Sequence, residues 1–198
     1  TNTHAEQILT DKSGRVVGLK VKGKDGTYTI HSKALVDAAG GFGANNEMVA
    51  KYVPRLKGFA TTNHPGATGD GLLLAEKIGA QLIQMDQIQT HPTVVPNVGE
   101  MITEAVRGNG AVLINKEGKR FYNELETRDK VSAAILKQKD GVAYLFFDSD
   151  MQKSLKATNN YIKQKYCLNG ATLDEVAGKM GVPADTLKAT MDAWKAGK

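Results

Sequence analysis

Glu104 and Arg107 stand three residues apart in the run Thr103-Glu104-Ala105-Val106-Arg107-Gly108-Asn109-Gly110, and Thr103 and Arg107 stand four apart. On a helix over about 102–108 these spacings make the three side chains neighbours on one surface. A carboxylate beside a guanidinium stays ionised, and hydrogen bonds between the two can pass protons. The same spacing also describes an ordinary surface ion pair, which is worth little. Gly108 and Gly110 imply a tight backbone path just beyond, and Asn109 between them tolerates a positive φ. Arg128 falls where a helix over about 127–138 should begin. A guanidinium there opposes the helix dipole, and Asp129 beside it partly offsets this. A plain exposed arginine fits that position equally well. His91 precedes Pro92, so its backbone is pushed to an extended form from which the imidazole could meet an anion. A structural loop histidine is the ordinary alternative.

Other chemistries find no support. The four histidines, His4, His31, His64 and His91, show no ligand spacing, so no metal site is expected. Cys167 is the single cysteine, which excludes an internal disulfide and a cysteine-based zinc site, and nothing marks it as a nucleophile. No Cys-x-x-Cys-His haem motif, Gly-x-Ser-x-Gly, phosphate-loop motif or His-Glu-x-x-His is present. Gly40-Gly41-Phe42-Gly43 and Thr68-Gly69-Asp70-Gly71 do not match Gly-x-Gly-x-x-Gly and are weak nucleotide signals alone. Asp70 at a helix start reads equally as an N-cap without a ligand.

These residues must be positioned by a mixed set of elements. Strand-like runs at 8–10, 16–21 and 28–30 are joined by turns at Asp11-Lys12-Ser13-Gly14 and Asp25-Gly26. Residues 34–39 read as an apolar strand running into Gly40-Gly41. Residues 45–53 and 70–78 read as helices, the second closed by Gly79. Strands are expected at 82–85, 111–114 and 143–147. The last fifty residues read as mostly helical, with a capping box at Thr172-Leu173-Asp174-Glu175 and Pro183 in the first turn of the final helix. The fold class is α+β, with a boundary near residues 85–90. No repeat or low-complexity segment appears.

Composition agrees with a globular chain. Of 198 residues, 41% are hydrophobic and 24% charged, and no apolar run reaches eighteen residues, so no membrane span is expected. The net charge of +5 comes from scattered lysines, which fits a solvated surface better than nucleic-acid binding. The chain opens on Thr1-Asn2-Thr3-His4 without an initiator methionine, and its end, Trp194-Lys195-Ala196-Gly197-Lys198, reads as a helix cut short. A fragment of a longer protein is the expectation.

Taken in order, Ala38-Ala39-Gly40-Gly41-Phe42, the stretch from Asn63-His64-Pro65-Gly66 through Ala67-Thr68-Gly69-Asp70-Gly71, His91-Pro92-Thr93, Thr103-Glu104-Ala105-Val106-Arg107-Gly108 and Arg120-Phe121 with Arg128-Asp129 resemble one family. It is the fumarate reductase and succinate dehydrogenase flavoprotein family, above all its soluble flavocytochrome c branch, and the resemblance covers essentially the whole chain. It implies that residues 1–87 are the end of a Rossmann-like FAD-binding domain and residues 88–198 an α+β clamp domain that caps the substrate. The activity implied is reduction of fumarate to succinate with FAD. By matching motif, Arg128 would be the proton donor, with Glu104 and Arg107 as the relay that refills it. His91 and Thr103 would hold a substrate carboxylate. Ala38, Ala39, Gly40, Gly41 and Asp70 would lie against FAD, with His4 at its adenine end. Haem would belong only to a domain absent here, and a periplasmic location follows from the branch. The family's N-terminal Gly-x-Gly-x-x-Gly and its C-terminal portion are absent, so the isolated chain is not expected to hold FAD tightly or turn over. Nothing in the chain points to its electron donor.

Two rivals remain. One is a reductase of another unsaturated acid such as urocanate. The other, of a different class, is a helix-turn-helix-like nucleic-acid module over 173–191, whose second helix offers Asp185, Thr186, Lys188 and Lys195 but no arginine.

Overall fold

Alternating apolar residues near the N-terminus build an antiparallel three-stranded meander: β1 (His4–Thr10), β2 (Val16–Gly23) and β3 (Gly26–His31), in that order. The structure, a computed structural model, describes residues 1–197. Ile8 and Val21 are the buried hydrophobic side chains of the meander. At the first turn, Asp11 Oδ1 accepts from the N–H groups of Ser13 at 2.8 Å and Arg15 at 3.1 Å. The second turn sits one residue earlier than expected. Gly23 faces Gly26, so Lys24 and Asp25 are the two loop residues and Gly26 already belongs to β3.

The chain divides into two compact units, Thr1–Ile88 and Gln89 onward. In the first, α1 (Asn46–Tyr52) is capped by Asn45, whose side chain accepts from the Met48 N–H at 3.0 Å. Val49, Val53 and Leu56 form a small core with Phe42, Tyr52 and Ile88. Helix α2 (Asp70–Lys77) lies against β1 and gives way to Gly79 at φ 92°. Two expected strands do not form. Residues 34–39 join no ladder, and Val36 is 85% exposed. A strand exists only beside a hydrogen-bonded neighbour, and none of the described strands pairs with this segment. Residues 82–85 are broken by Gln84 at φ 55°, whose carbonyl accepts from the Gln87 N–H in a turn.

The second unit is built on a short hairpin. β4 (Val112–Ile114) pairs antiparallel with β5 (Tyr144–Phe146). All three β4 side chains are buried, and their alternation serves two cores. Val112 and Ile114 pack against Ala177 and Met180 of α7 (Leu173–Met180) and Leu187 and Met191 of α8 (Ala184–Ala196). Leu113 packs on the other side against Val131 and Ile135 of α4 (Arg128–Leu136). A third cluster joins Val106 of α3 (Glu104–Gly108) to Met151 of α5 (Ser149–Ser154) and Tyr161 of α6 (Ala157–Lys163).

The capping box forms in altered shape. Thr172 Oγ1 accepts from the Glu175 N–H at 3.2 Å, but the Glu175 carboxylate accepts from Ala171 rather than Thr172. Pro183 sits at the N-cap of α8, one residue before its first turn. The apolar face of α8 is spent on β4, and Lys188 is paired with Asp174 at 2.6 Å, which leaves the groove-reading rival little free cationic surface. No helix among the described residues is long and apolar enough to cross a membrane.

Because Leu187 is fully buried in the β4–α7–α8 core, Leu187→Ala should cost about 2–5 kcal/mol. Trp194, the only tryptophan, packs on the same cluster. Its fluorescence should therefore report a lower urea midpoint, and an unchanged midpoint would show that this core does not carry the unit.

Candidate active site

Three segments of the second unit meet at one carboxylate. Helix α3 is too short to persist by itself, and its first turn is set by its surroundings. Thr103 is its N-cap, with Oγ1 accepting from the Ala105 N–H at 3.4 Å, while the Thr103 N–H donates to the buried Tyr161 hydroxyl at 3.1 Å. Just before it, Thr93 Oγ1 donates to the Ile102 carbonyl at 2.7 Å and the Ile102 N–H donates to the Thr93 carbonyl at 2.9 Å. That pairing lays the His91 loop beside the start of α3. The Thr93 N–H donates to His91 Nδ1 at 3.3 Å, which leaves Nε2 to face Glu104 Oε1 at 3.1 Å.

Arg128 is the first residue of α4, as expected. Its guanidinium forms an ion pair with Glu104 Oε1, and its Nη1 donates to Gln89 Oε1 at 2.8 Å. One turn further, Ser132 Oγ donates to the Thr90 carbonyl at 3.1 Å and ties α4 to the same loop. The Arg128 side chain remains 45% exposed, so it can reach a ligand.

The contact expected between Glu104 and Arg107 is replaced by another arrangement. Glu104, at the first position of α3, turns to His91 and Arg128. Arg107 turns inward, is only 5% exposed, and its Nη1 donates to the Glu124 carbonyl at 2.5 Å. No ion pair joins Glu104 to Arg107 among the described residues. A helix of five residues buries one flank, and Arg107 lies on that flank with Val106.

Charge still links them. The Glu104 carboxyl is held below the usual carboxylate range, first by its own backbone N–H in the first turn of α3 and then by His91 and Arg128, against partial burial. Burial pulls the Arg107 guanidinium below its usual value and the Arg128 charge adds to this, while Glu104 and Glu124 oppose it. His91 Nε2, Glu104 Oε1 and Arg107 Nε are buried without an aligned hydrogen bond. The close approach of His91 to Glu104 is thus a polar contact without hydrogen-bond alignment. Unmet polar atoms inside a protein are costly. Two of these, His91 Nε2 and Arg107 Nε, are nitrogens with no aligned acceptor, and spare N–H groups are what an oxygen-rich anion can satisfy.

Sequence spacing does not single out Gln89, Glu124, Ser132 or Tyr161, and Thr93 enters only as the end of the His91-Pro92-Thr93 motif. The spacing of Arg120 and Glu124 was the one available signal, but residues 121–125 are not helical, so helical spacing gave no reason to pair them.

In the first unit, His4 opens β1 and is exposed. Ala38, Ala39, Gly40 and Gly41 form an exposed irregular segment, joined to the start of α2 where the Gly69 N–H donates to the Gly41 carbonyl at 3.1 Å. Asp70 is the first residue inside α2 and not its N-cap. Gly69 takes that place at φ 81°, with Phe42 Cβ and Met48 Sδ each 2.8 Å from where a Cβ would stand. Side chains at Gly40 and Gly41 would meet nothing within 4 Å. Bare backbone of this kind suits close approach by a flat group, and the neighbouring carboxylates of Asp37 and Asp70 suit hydroxyl or ring N–H donors rather than phosphates. These residues therefore fit one side of a flavin nucleotide.

Residues 1–196 match the family described as FAD binding domain. The chain is 48% identical over 191 residues to a fumarate reductase (cytochrome) of Shewanella frigidimarina, covering 96% of this chain and 34% of that protein. It is 40% identical over 205 residues to a urocanate reductase of Eggerthella lenta, covering 98% of this chain and 34% of that one. Among solved structures it is similar to the open conformation of a flavocytochrome c3 fumarate reductase, with a TM-score of 0.74, 39% identity, and coverage of 98% of this chain and 35% of that one. The chain thus spans about a third of the length of these relatives. It belongs to the FAD-binding domain family, and within it resembles the fumarate reductase flavoproteins.

Proposed function

We propose that this chain is part of an FAD-dependent reductase that converts fumarate to succinate. The first unit carries contacts to the cofactor and the second carries the substrate and proton-transfer groups. The observation that carries this reading is the Glu104 carboxylate in contact with both His91 and Arg128, beside the capped α3 that presents Thr103.

His91 and Thr103 hold one substrate carboxylate through the imidazole and the hydroxyl. Ala38, Ala39, Gly40, Gly41 and Asp70 contact FAD, with His4 toward its adenine end. Bound FAD supplies the hydride that adds to one alkene carbon. The other carbon gains carbanion character and takes a proton from Arg128. A guanidinium is a poor acid in water, with a pKa above about 12, but a developing carbanion is a far stronger base. Glu104, already against Arg128, accepts a proton from the inner side of the site and returns it to the guanidinium. Arg107 supports this relay from its buried position, where its charge and that of Glu104 stabilise each other. The cations of Arg107 and Arg128 also favour the charge that builds on the substrate.

A second reading is favoured by the likeness to a urocanate reductase over 98% of the chain. Urocanate offers one carboxylate and an imidazole where fumarate offers two carboxylates. Turnover with fumarate and not with urocanate supports the first reading, and the reverse result supports the second.

In the FAD-loaded protein, Arg128→Lys should lower kcat for fumarate by about 100-fold or more, the range expected when a proton donor is lost. Steady-state kinetics that match the unaltered protein would remove Arg128 from the chemistry. Glu104 gives a separate test through pH. Its folded-state pKa lies below the usual value of about 4.3, so its stabilising contacts are fully present above that value and lost as pH falls through the depressed one. Thermal melts of the unaltered protein and of Glu104→Gln should differ most near neutral pH and converge below about pH 4. A gap that stays constant to pH 3 would mean that the carboxylate is not held ionised by these neighbours.

A further inference from the structure

One buried charge has no part in the chemistry described so far. Glu124 is 5% exposed, yet its carboxylate is fully engaged. Oε1 accepts from the Leu113 N–H of β4 at 2.9 Å and from Arg120 Nε at 3.0 Å, and Oε2 accepts from Arg120 Nη2 at 2.7 Å. Its backbone carbonyl is the acceptor for buried Arg107. Packing alone does not ask for a charge here, because an apolar residue of similar size commonly replaces a buried ion pair without loss. A forked arginine–carboxylate pair adds direction, which apolar contact lacks.

The path of the chain shows what that direction serves. After β4, the Asn115 N–H donates to the Lys119 carbonyl, and Arg120 returns beside Ile114 as an isolated bridge. From there the chain runs without helix or strand to Thr127, the N-cap of α4, and then to Arg128. Glu124 is the point where this irregular stretch is fastened back to β4. Leu113 receives both anchors, since its N–H holds Glu124 and its side chain packs on Val131 and Ile135 of α4.

Taking Arg128 as the proton donor proposed above, we infer that Glu124 and Arg120 are a positioning pair for the relay: they set the carbonyl that holds Arg107 and the place where α4 begins with Arg128. Neither side chain touches the reacting atoms. Both act by fixing two arginines of the relay at once.

The test uses the FAD-loaded protein with fumarate. Glu124→Gln keeps an acceptor for Leu113 but loses the charged fork, and Arg120→Lys keeps the charge but loses the fork at a half-exposed position. Each should lower kcat about tenfold with KM within about threefold, because misplacement away from the chemistry costs rate before it costs binding. In an Arg107→Lys background, Glu124→Gln should cost clearly less than it does alone, since residues acting through one another are not additive. A fall in Tm with kcat and KM unchanged would reduce the pair to a structural role and overturn the inference, as would a fully additive loss. If Arg128→Lys keeps full turnover, the proton-donor reading fails and this role falls with it. If Arg128→Lys abolishes turnover while both pair variants keep full kcat, the positioning role alone is wrong.

Discussion

The Glu104 carboxylate is the contact on which the candidate site depends. It is shared by His91 from a loop and Arg128 from the start of α4, and it stands on α3. Without it, the mutual repulsion of the Arg107 and Arg128 guanidiniums would lose the carboxylate that most directly offsets it. Its charge is kept by the first-turn N–H of its own helix and by the two partners it holds together. The same contacts that gather the segments thus maintain the charge that gathers them.

That carboxylate is placed by packing rather than by helix propensity. A five-residue helix has no independent stability. Helix α3 persists because Val106 is fully buried, Thr103 caps its first turn, and Tyr161 receives the backbone N–H before it. The other partner is placed from β4, whose side chains alternate between the α7–α8 core and the α4 core. A three-residue strand in the middle of the unit therefore sets where α4 starts, and with it where the guanidinium of Arg128 stands. The apolar core and the polar site are one construction.

In the first unit the proposed cofactor contacts lie where side chains are absent. Gly40 and Gly41 leave backbone open to approach, and Gly69 takes a left-handed φ in a space that Phe42 and Met48 would deny to a Cβ. Asp70 follows inside α2. This open backbone differs from a Rossmann phosphate motif, which offers the N–H groups of a glycine loop.

Local chemistry in the sequence was enough to point to the three N-terminal strands, β4 and β5, and helices α1, α2, α3, α4, α7 and α8, because turns, caps and periodicity are properties of neighbouring residues, whereas the grouping of His91, Thr103, Glu104, Arg107 and Arg128 as candidates came from the family resemblance. The linear order of the glycine, histidine and arginine motifs likewise carried the family. Tertiary structure alone decided the rest. Residues 34–39 and 82–85 are apolar enough to be strands but have no ladder to join, and ladders are made between segments. Arg107 left Glu104 for the Glu124 carbonyl because burial, not spacing, chooses the partner of a guanidinium in a short helix. Arg128 reached Glu104 across twenty-four positions, and Glu124 reached Leu113 across eleven. Such long-range pairs satisfy charges and backbone groups that only the folded packing takes out of water, so no local pattern announces them.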